Sequence, residues 1–408
     1  MTINARNIVP GKAINQITYM FLGNMRLRKE DKSVHIQSHY LEGEPGVGKS
    51  SIAKRIAKAL NYYMEDIRAN QMSPDDAGGI RMPNMETHTT DWFAPYWLPS
   101  PDGKVLDSEG NERLNEEGKP YDGTILFFDE LASADDRVRK PLFGVFLDRE
   151  LNGRQLPDNC LVMAGGNESE TGTMVFELDN ATRTRFNTMR IVADFTSWMH
   201  DYAPGANITP TVVAYLKNNM GQFCMTEEAL QAKQDLYGNP RSWEHVSVQE
   251  RSIMQNPADY TDDAKRDALE TMVSGKVGTG IAKQFMATFD IVTKMTALFD
   301  IIEAAKKGKD LSQLWPKDIS QLYALTYSMM AYPKDVETGK DITMLMDAFP
   351  ESKNKLPFQE MKPAIIEVML KRLREHNVPE KDISKNFSKH SAEISDEAMD
   401  GPLIKIDL

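Results

Sequence analysis

The sequence predicts an α/β domain, a parallel sheet flanked by helices, followed by an all-helical region. Three features carry that prediction. Gly43-Glu44-Pro45-Gly46-Val47-Gly48-Lys49-Ser50 spells G-x-x-x-x-G-K-[ST], and Ile52, Ala53, Ile56, Ala57 and Leu60 repeat behind it at helical spacing. Thr124 to Phe128 and Cys160 to Ala164 are continuous apolar runs, as strands covered on both faces should be. Beyond about residue 200 the apolar spacing turns helical.

Each segment has its own chemistry. In the first, glycines let backbone N–H groups turn inward around phosphates, and the following helix presents its N-terminus to them. Lys49 is expected on the β/γ oxygens and the Ser50 hydroxyl on Mg²⁺, with Ser51 completing the nucleotide contacts. This pattern implies binding of a nucleoside triphosphate. The run Thr124 to Phe128 ends in Asp129-Glu130, an acidic pair at the carboxyl end of a buried strand. Asp129 is expected in the Mg²⁺ shell and Glu130 as the group that polarises the attacking water.

The next helix has Ser133 as its expected cap, with Val138, Leu142 and Phe146 on one face. Asn152-Gly153 signals a hairpin turn. The strand Cys160 to Ala164 then runs into Gly165-Gly166-Asn167, where the Asn167 amide could orient water beside the γ-phosphate. Leu178 to Phe186 carries Arg183 and Arg185 before a further apolar run. Either could stabilise charge on a transferring phosphoryl group, often from a neighbouring subunit.

Composition sets limits. A chain of 408 residues suggests two or three domains, and it contains no run of about 18 apolar residues. Met1 to Asn7 lacks the apolar core of a secretory signal. The two cysteines, Cys160 and Cys224, are unaccompanied by ligand-spaced His or Cys, so no disulfide framework or zinc site is expected. The expected location is the cytoplasm. A net charge of -12 argues against a general nucleic-acid coating role.

Taken in order, these segments resemble the AAA+ ATPases, and more narrowly the MoxR-type and dynein-related branch. Leu41 to Gly46 resembles the approach to that family's phosphate loop, Ser73 to Gly79 its D-P-x-D-L-x-G segment, and Tyr96 to Pro99 the stretch before its Asp-Glu strand. Leu178 to Phe186 is similar to L-P-x-A-L-x-N-R-F, an alignment that selects Arg185 as the arginine finger with Arg183 as second choice. Asp179, Thr182 and Thr184 depart from that pattern, as does the extra glycine of Gly165-Gly166. Asn239-Pro240-Arg241-Ser242-Trp243-Glu244 resembles the family's P-R-S-W-E motif, whose arginine contacts nucleotide from a helical lid. Locally, Asn239 can cap a helix that Pro240 opens.

The resemblance implies an ATP- and Mg²⁺-dependent ATPase. It implies a homo-oligomeric ring, a hexamer, that remodels a protein partner, with a von Willebrand factor A domain protein as one candidate. The rivals are a nucleic-acid motor or loader, and a nucleotide-gated scaffold. Expected domains are 1–202 as the nucleotide-binding domain, 203–305 as the lid, 306–376 as a helical extension and 377–408 as a polar tail. Between Leu98 and Asp122 lies a polar insert whose acidic balance favours a protein substrate over nucleic acid. Trp92, Phe93, Tyr96 and Trp97 before it are expected as core, as are Met329 and Met330.

Overall fold

The computed structural model describes residues 7–167, 186–232, 234–255, 261–349 and 355–391. The chain folds into two compact units, Met1–Ala193 and Asp194–Leu408. Arg183, Arg185 and the terminal segment from 392 lie outside the described residues.

In the first unit, β1 (Asn7–Ile8) leads into α1 (Pro10–Glu30), and β2 (His39–Glu42) is followed by α2 (Lys49–Leu60) and β3 (Tyr62–Arg68). A short helix, α3 (Pro74–Gly78), and a hairpin of β4 (Ile80–Asn84) and β5 (Thr89–Phe93) come next. Then follow β6 (Gly123–Asp129), α4 (Asp136–Leu147), the small hairpin β7 (Glu150–Leu151) and β8 (Arg154–Gln155), β9 (Cys160–Gly166) and β10 (Asn187–Ile191). Six strands form one sheet in the order β1-β10-β2-β9-β6-β3, with every pairing parallel. All seven residues of β6 and all seven of β9 are buried, as their unbroken apolar runs require. On one face a chain of rings runs Trp97–Phe128–Phe146–Phe186–Tyr40, with successive centroids 5.0 to 5.8 Å apart.

Local signals behave as their chemistry dictates. Asn152 and Gly153 both take positive φ, 49° and 85°, so the β7–β8 turn is of the mirror-image kind the Asn-Gly pair favours. The cap of α4 differs from expectation. Ser133 lies in a 3₁₀ turn, Leu131–Ser133, and Asp135 is the cap, its carboxylate accepting the Arg137 N–H at 2.8 Å. The extra turn arises because Glu130, at φ 57°, swings the chain aside before the helix can start. The four aromatics divide. Trp97 is core and Trp92 half-buried, its Nε1 donating to Gly78 O at 2.9 Å, whereas Phe93 and Tyr96 are 59 % and 77 % exposed.

The polar insert is built from two consecutive copies of one small unit. In Leu106-Asp107-Ser108-Glu109-Gly110-Asn111-Glu112 the Asp107 carboxylate accepts the N–H groups of Glu109 and Asn111, both at 2.9 Å. In Leu114-Asn115-Glu116-Glu117-Gly118-Lys119-Pro120 the Asn115 side-chain oxygen does the same for Glu117 and Lys119. Gly110 and Gly118 hold φ of 87° and 75°, and Leu106 pairs with Glu112 as Leu114 pairs with Pro120. Each unit is therefore a turn closed by an Asx side chain and a left-handed glycine.

The second unit is helical. It contains α5 (Pro210–Asn218), α6 (Thr226–Gln231), α7 (Pro240–Met254), α8 (Asp262–Val277), α9 (Thr279–Val292), α10 (Leu298–Lys306), α11 (Ile319–Ala331), α12 (Val336–Ala348), α13 (Lys355–Glu375) and α14 (Glu380–Ser391). It begins nine residues before the expected 202/203 boundary, because Asp194 caps a first turn, accepting the Ser197 N–H at 2.7 Å, and Phe195, Trp198 and Phe223 pack ring on ring. Helices expected as lid and as extension share a small core at Ala214, Val292 and Ala324. Met329 and Met330 are fully buried in the larger core. The segment expected as a polar tail from 377 holds α14, with Ile383 and Phe387 buried.

One buried carboxyl marks the start of α5. Thr209, its cap, donates from its hydroxyl to Glu250 on α7, and the Thr209 N–H donates to Ser247 Oγ at 2.8 Å. Burial pushes the Glu250 carboxyl up to about 6, against the opposing pull of hydrogen bonds from Thr209 and Thr211. A carboxyl whose folded value lies above its ordinary 4.5 stabilises the fold fully only below that value. Its contribution is lost as pH rises through the folded value near 6. Glu250→Gln keeps an acceptor for Thr209 and removes the titration. Its unfolding free energy relative to wild type should therefore improve by about 1 kcal/mol between pH 5 and pH 7.5. Urea unfolding at the two pH values measures this, and a pH-independent difference would contradict it.

Candidate nucleotide site

Parallel pairing brings the carboxyl ends of the central strands to one edge of the sheet, the edge at which α/β folds bind ligands. Register fixes the neighbours there: Glu42 of β2 lies beside Gly166 of β9, and Arg68 of β3 beside Asp129 of β6. From Glu42 the chain passes into Gly43 to Ser50. Gly46 and Gly48 hold φ of 83° and 100°, and α2 starts at Lys49, directing its N-terminus at the loop.

Lys49 is buried, its Nζ donating to Gly43 O at 2.7 Å, Glu44 O at 3.0 Å and Asn167 Oδ1 at 3.0 Å. The ammonium thus sits within the glycine loop, next to the amide singled out at the end of β9. Asp129 and Glu130 follow at the end of β6. The Asp129 side chain is only 11 % exposed; its Oδ1 accepts the Glu130 N–H at 3.0 Å and its Oδ2 accepts Arg68 Nη1 at 2.7 Å. Glu130 accepts a hydrogen bond from Asn70 Nδ2.

The sequence-predicted residues Gly43 to Ser51, Asp129, Glu130 and Asn167 all fall on this edge or in the loop and helix start that follow it. Arg241 is exposed at the start of α7 in the second unit, where Asn239 caps the helix by accepting the Ser242 N–H at 2.9 Å. Trp243 of the same motif is core, packed on Tyr215 and Phe285. Arg183 and Arg185 lie outside the described residues.

Arg68, Asn70 and Tyr40 were missed by sequence reasoning. Arg68 and Asn70 carried a local mark, but not one that could be read without the strand order. They are polar residues at the carboxyl end of a strand, the same feature that singled out Asp129-Glu130. Without the strand order, nothing in the sequence makes β3 the neighbour of β6.

The residues present fit a nucleotide with Mg²⁺. The Ser50 hydroxyl and the Asp129 carboxylate are hard oxygen donors of the kind Mg²⁺ takes together with phosphate and water. Gly165 keeps that carboxylate clear, since a Cβ there would meet Asp129 Oδ1 at 2.9 Å and the Phe127 ring at 3.1 Å. The extra glycine of the Gly165-Gly166 pair is explained in the same way, because a Cβ on Gly166 would lie 1.8 Å from the Tyr40 hydroxyl.

Residues 39–186 match the sequence model of the AAA domain (dynein-related subfamily). No curated protein matches the chain. Solved structures similar to it include a putative ATPase from Cytophaga hutchinsonii, at 13% identity over 68% of this chain and 88% of that one, with a TM-score of 0.30. The RuvB Holliday junction branch migration motor of Thermotoga maritima is 15% identical over 78% and 87%, with a TM-score of 0.33. PCH-2 of C. elegans is 12% identical over 68% and 67%, with a TM-score of 0.31.

The contact between β9 and β2 can be tested directly. Gly166→Ala should lower the unfolding free energy by about 1–3 kcal/mol, the usual cost of overpacking. Adding Tyr40→Phe removes the clashing hydroxyl and should recover part of that loss, a coupling that thermal or denaturant unfolding of the two single variants and the double variant would reveal.

Proposed function

From the match of residues 39–186 to the AAA domain (dynein-related subfamily), we propose that the chain is a MoxR-type AAA+ ATPase that works as a ring and couples ATP hydrolysis to remodelling of a protein partner. The observation that carries the reading is the meeting at one sheet edge of Lys49, held 3.0 Å from Asn167, with the Asp129-Glu130 pair on the adjoining strand. In this reading Lys49 leaves its loop carbonyls for the β/γ-phosphates, and Ser50 and Asp129 hold Mg²⁺. Asn167 and Glu130 orient and polarise the attacking water. Mg²⁺, when bound, neutralises charge on the transferring phosphoryl group. Arg241 would contact nucleotide from the lid, and Arg185 would complete the site of the next subunit, with Arg183 as the second candidate. The lid, 203–305, and extension, 306–376, would carry the resulting motion.

A protein rather than a nucleic acid is favoured as substrate by the insert. Its three cations are already engaged, Lys104 with Glu112, Lys119 with Glu117, and Arg113 over the Tyr63 ring at 4.8 Å. Asp102, Asp107, Glu109 and Glu116 then leave a surface that repels phosphate. A von Willebrand factor A domain protein is the partner the family resemblance suggests.

Two experiments test the reading. Glu130→Gln should retain ATP binding and lose turnover by about a hundredfold or more, since the group that polarises water is gone; phosphate release near the wild-type rate would exclude Glu130 as the base. Lys49→Ala should abolish tight ATP binding, and Arg185→Ala should bind ATP yet hydrolyse it roughly a thousandfold more slowly. Mixing these last two proteins should restore part of the activity, because only a mixed interface pairs an intact Lys49 with an intact Arg185. No recovery at any ratio, with subunit exchange verified, would mean that the site is contained within one chain.

A further inference from the structure

Arg68 is the last residue of β3, and strand register sets it directly beside Asp129. The Asp129 carboxylate has two oxygens, and both are engaged: Oδ1 by the Glu130 N–H at 3.0 Å, and Oδ2 by Arg68 Nη1 at 2.7 Å. The first contact is a backbone donor one residue away and is fixed by the turn at Glu130. The second is a side chain that is 44 % exposed and free to rotate into water. Of the two contacts only the one with Arg68 can be exchanged for another cation.

We propose that Arg68 is a resident counter-ion on Asp129 that a divalent cation must displace, so that it sets the Mg²⁺ concentration at which the site accepts ATP. The proposal rests on the ATP-site reading above. A guanidinium on Oδ2 blocks that oxygen and also sets a positive charge against the carboxylate that would hold the cation. It equally neutralises a carboxylate that would otherwise stand uncompensated at the end of a buried strand. Arg68 is thus a positioning residue: it acts through Asp129.

The position predicts that two quantities which a merely structural residue would move together come apart. In Arg68→Gln the half-saturating Mg²⁺ for ATP binding should fall by about fivefold, the upper range for a half-exposed ion pair. ATP affinity in EDTA should be unchanged or weaker, since a positive charge near the phosphates has been removed. Arg68→Lys keeps the charge and should stay near the wild-type Mg²⁺ midpoint, and Arg68→Ala should behave as Arg68→Gln. The measurement is calorimetric titration of the full-length protein with ATP at a series of MgCl₂ concentrations, beside a parallel series in EDTA. A lower Mg²⁺ midpoint in the Gln and Ala variants, with Lys unchanged, supports the proposal. An equal or higher midpoint in Gln and Ala, with ATP still bound, overturns it and leaves the ATP site standing. Absence of ATP binding by wild type at every Mg²⁺ concentration would overturn both.

Discussion

A strand buried on both faces can carry charge only where it ends. All seven positions of β6 are buried, and the acidic pair Asp129-Glu130 occupies the point at which the strand emerges. β9 obeys the same constraint, running seven buried residues before its first polar side chain, Asn167. Because every pairing is parallel, the ends that tolerate polar groups all face one way. The chemistry at this edge therefore follows from hydrophobic burial within the sheet.

Order within the sheet decides which polar groups become neighbours. β2 and its phosphate loop lie beside β9, β9 beside β6, and β6 beside β3. Lys49 consequently meets Asn167, while Asp129 meets Arg68 and Glu130 meets Asn70. In this arrangement every charged group of the edge already has a partner from the protein itself. On the proposed reading, binding a nucleotide would mean exchanging partners, with Lys49 giving up two loop carbonyls and Asp129 one guanidinium. The glycines at 165 and 166 keep the exchange sterically open, one beside Asp129 and one beneath Tyr40.

Much of the nucleotide edge was legible in the sequence because it is written in local patterns. The phosphate loop declares itself through glycine spacing, and β6 and β9 through uninterrupted apolar runs that end in Asp129-Glu130 and Asn167. The cap at Asn239 and the Asn152-Gly153 turn are equally local. What escaped was non-local or masked by composition. Arg68 and Asn70 acquire meaning only from the pairing of β3 with β6, which no spacing within β3 reveals. The helix Glu380–Ser391 was hidden because only Ile383 and Phe387 of its residues join the core, too few apolar positions to stand out in a polar stretch. Ser133 had the right chemistry for a cap, but the left-handed turn at Glu130 moved the helix start to Asp136.

The twin turns of the insert have a consequence for how this region can vary. Each unit returns the chain to the side of its own starting point, Leu106 against Glu112 and Leu114 against Pro120, and satisfies its backbone through its own Asp107 or Asn115. Loss or duplication of one unit would leave the flanking ends about as far apart as before and no strand of the sheet out of register. Whole-unit steps are therefore the changes in length that would disturb the core least, with the second unit's bonds to Asn61 the tie to be lost.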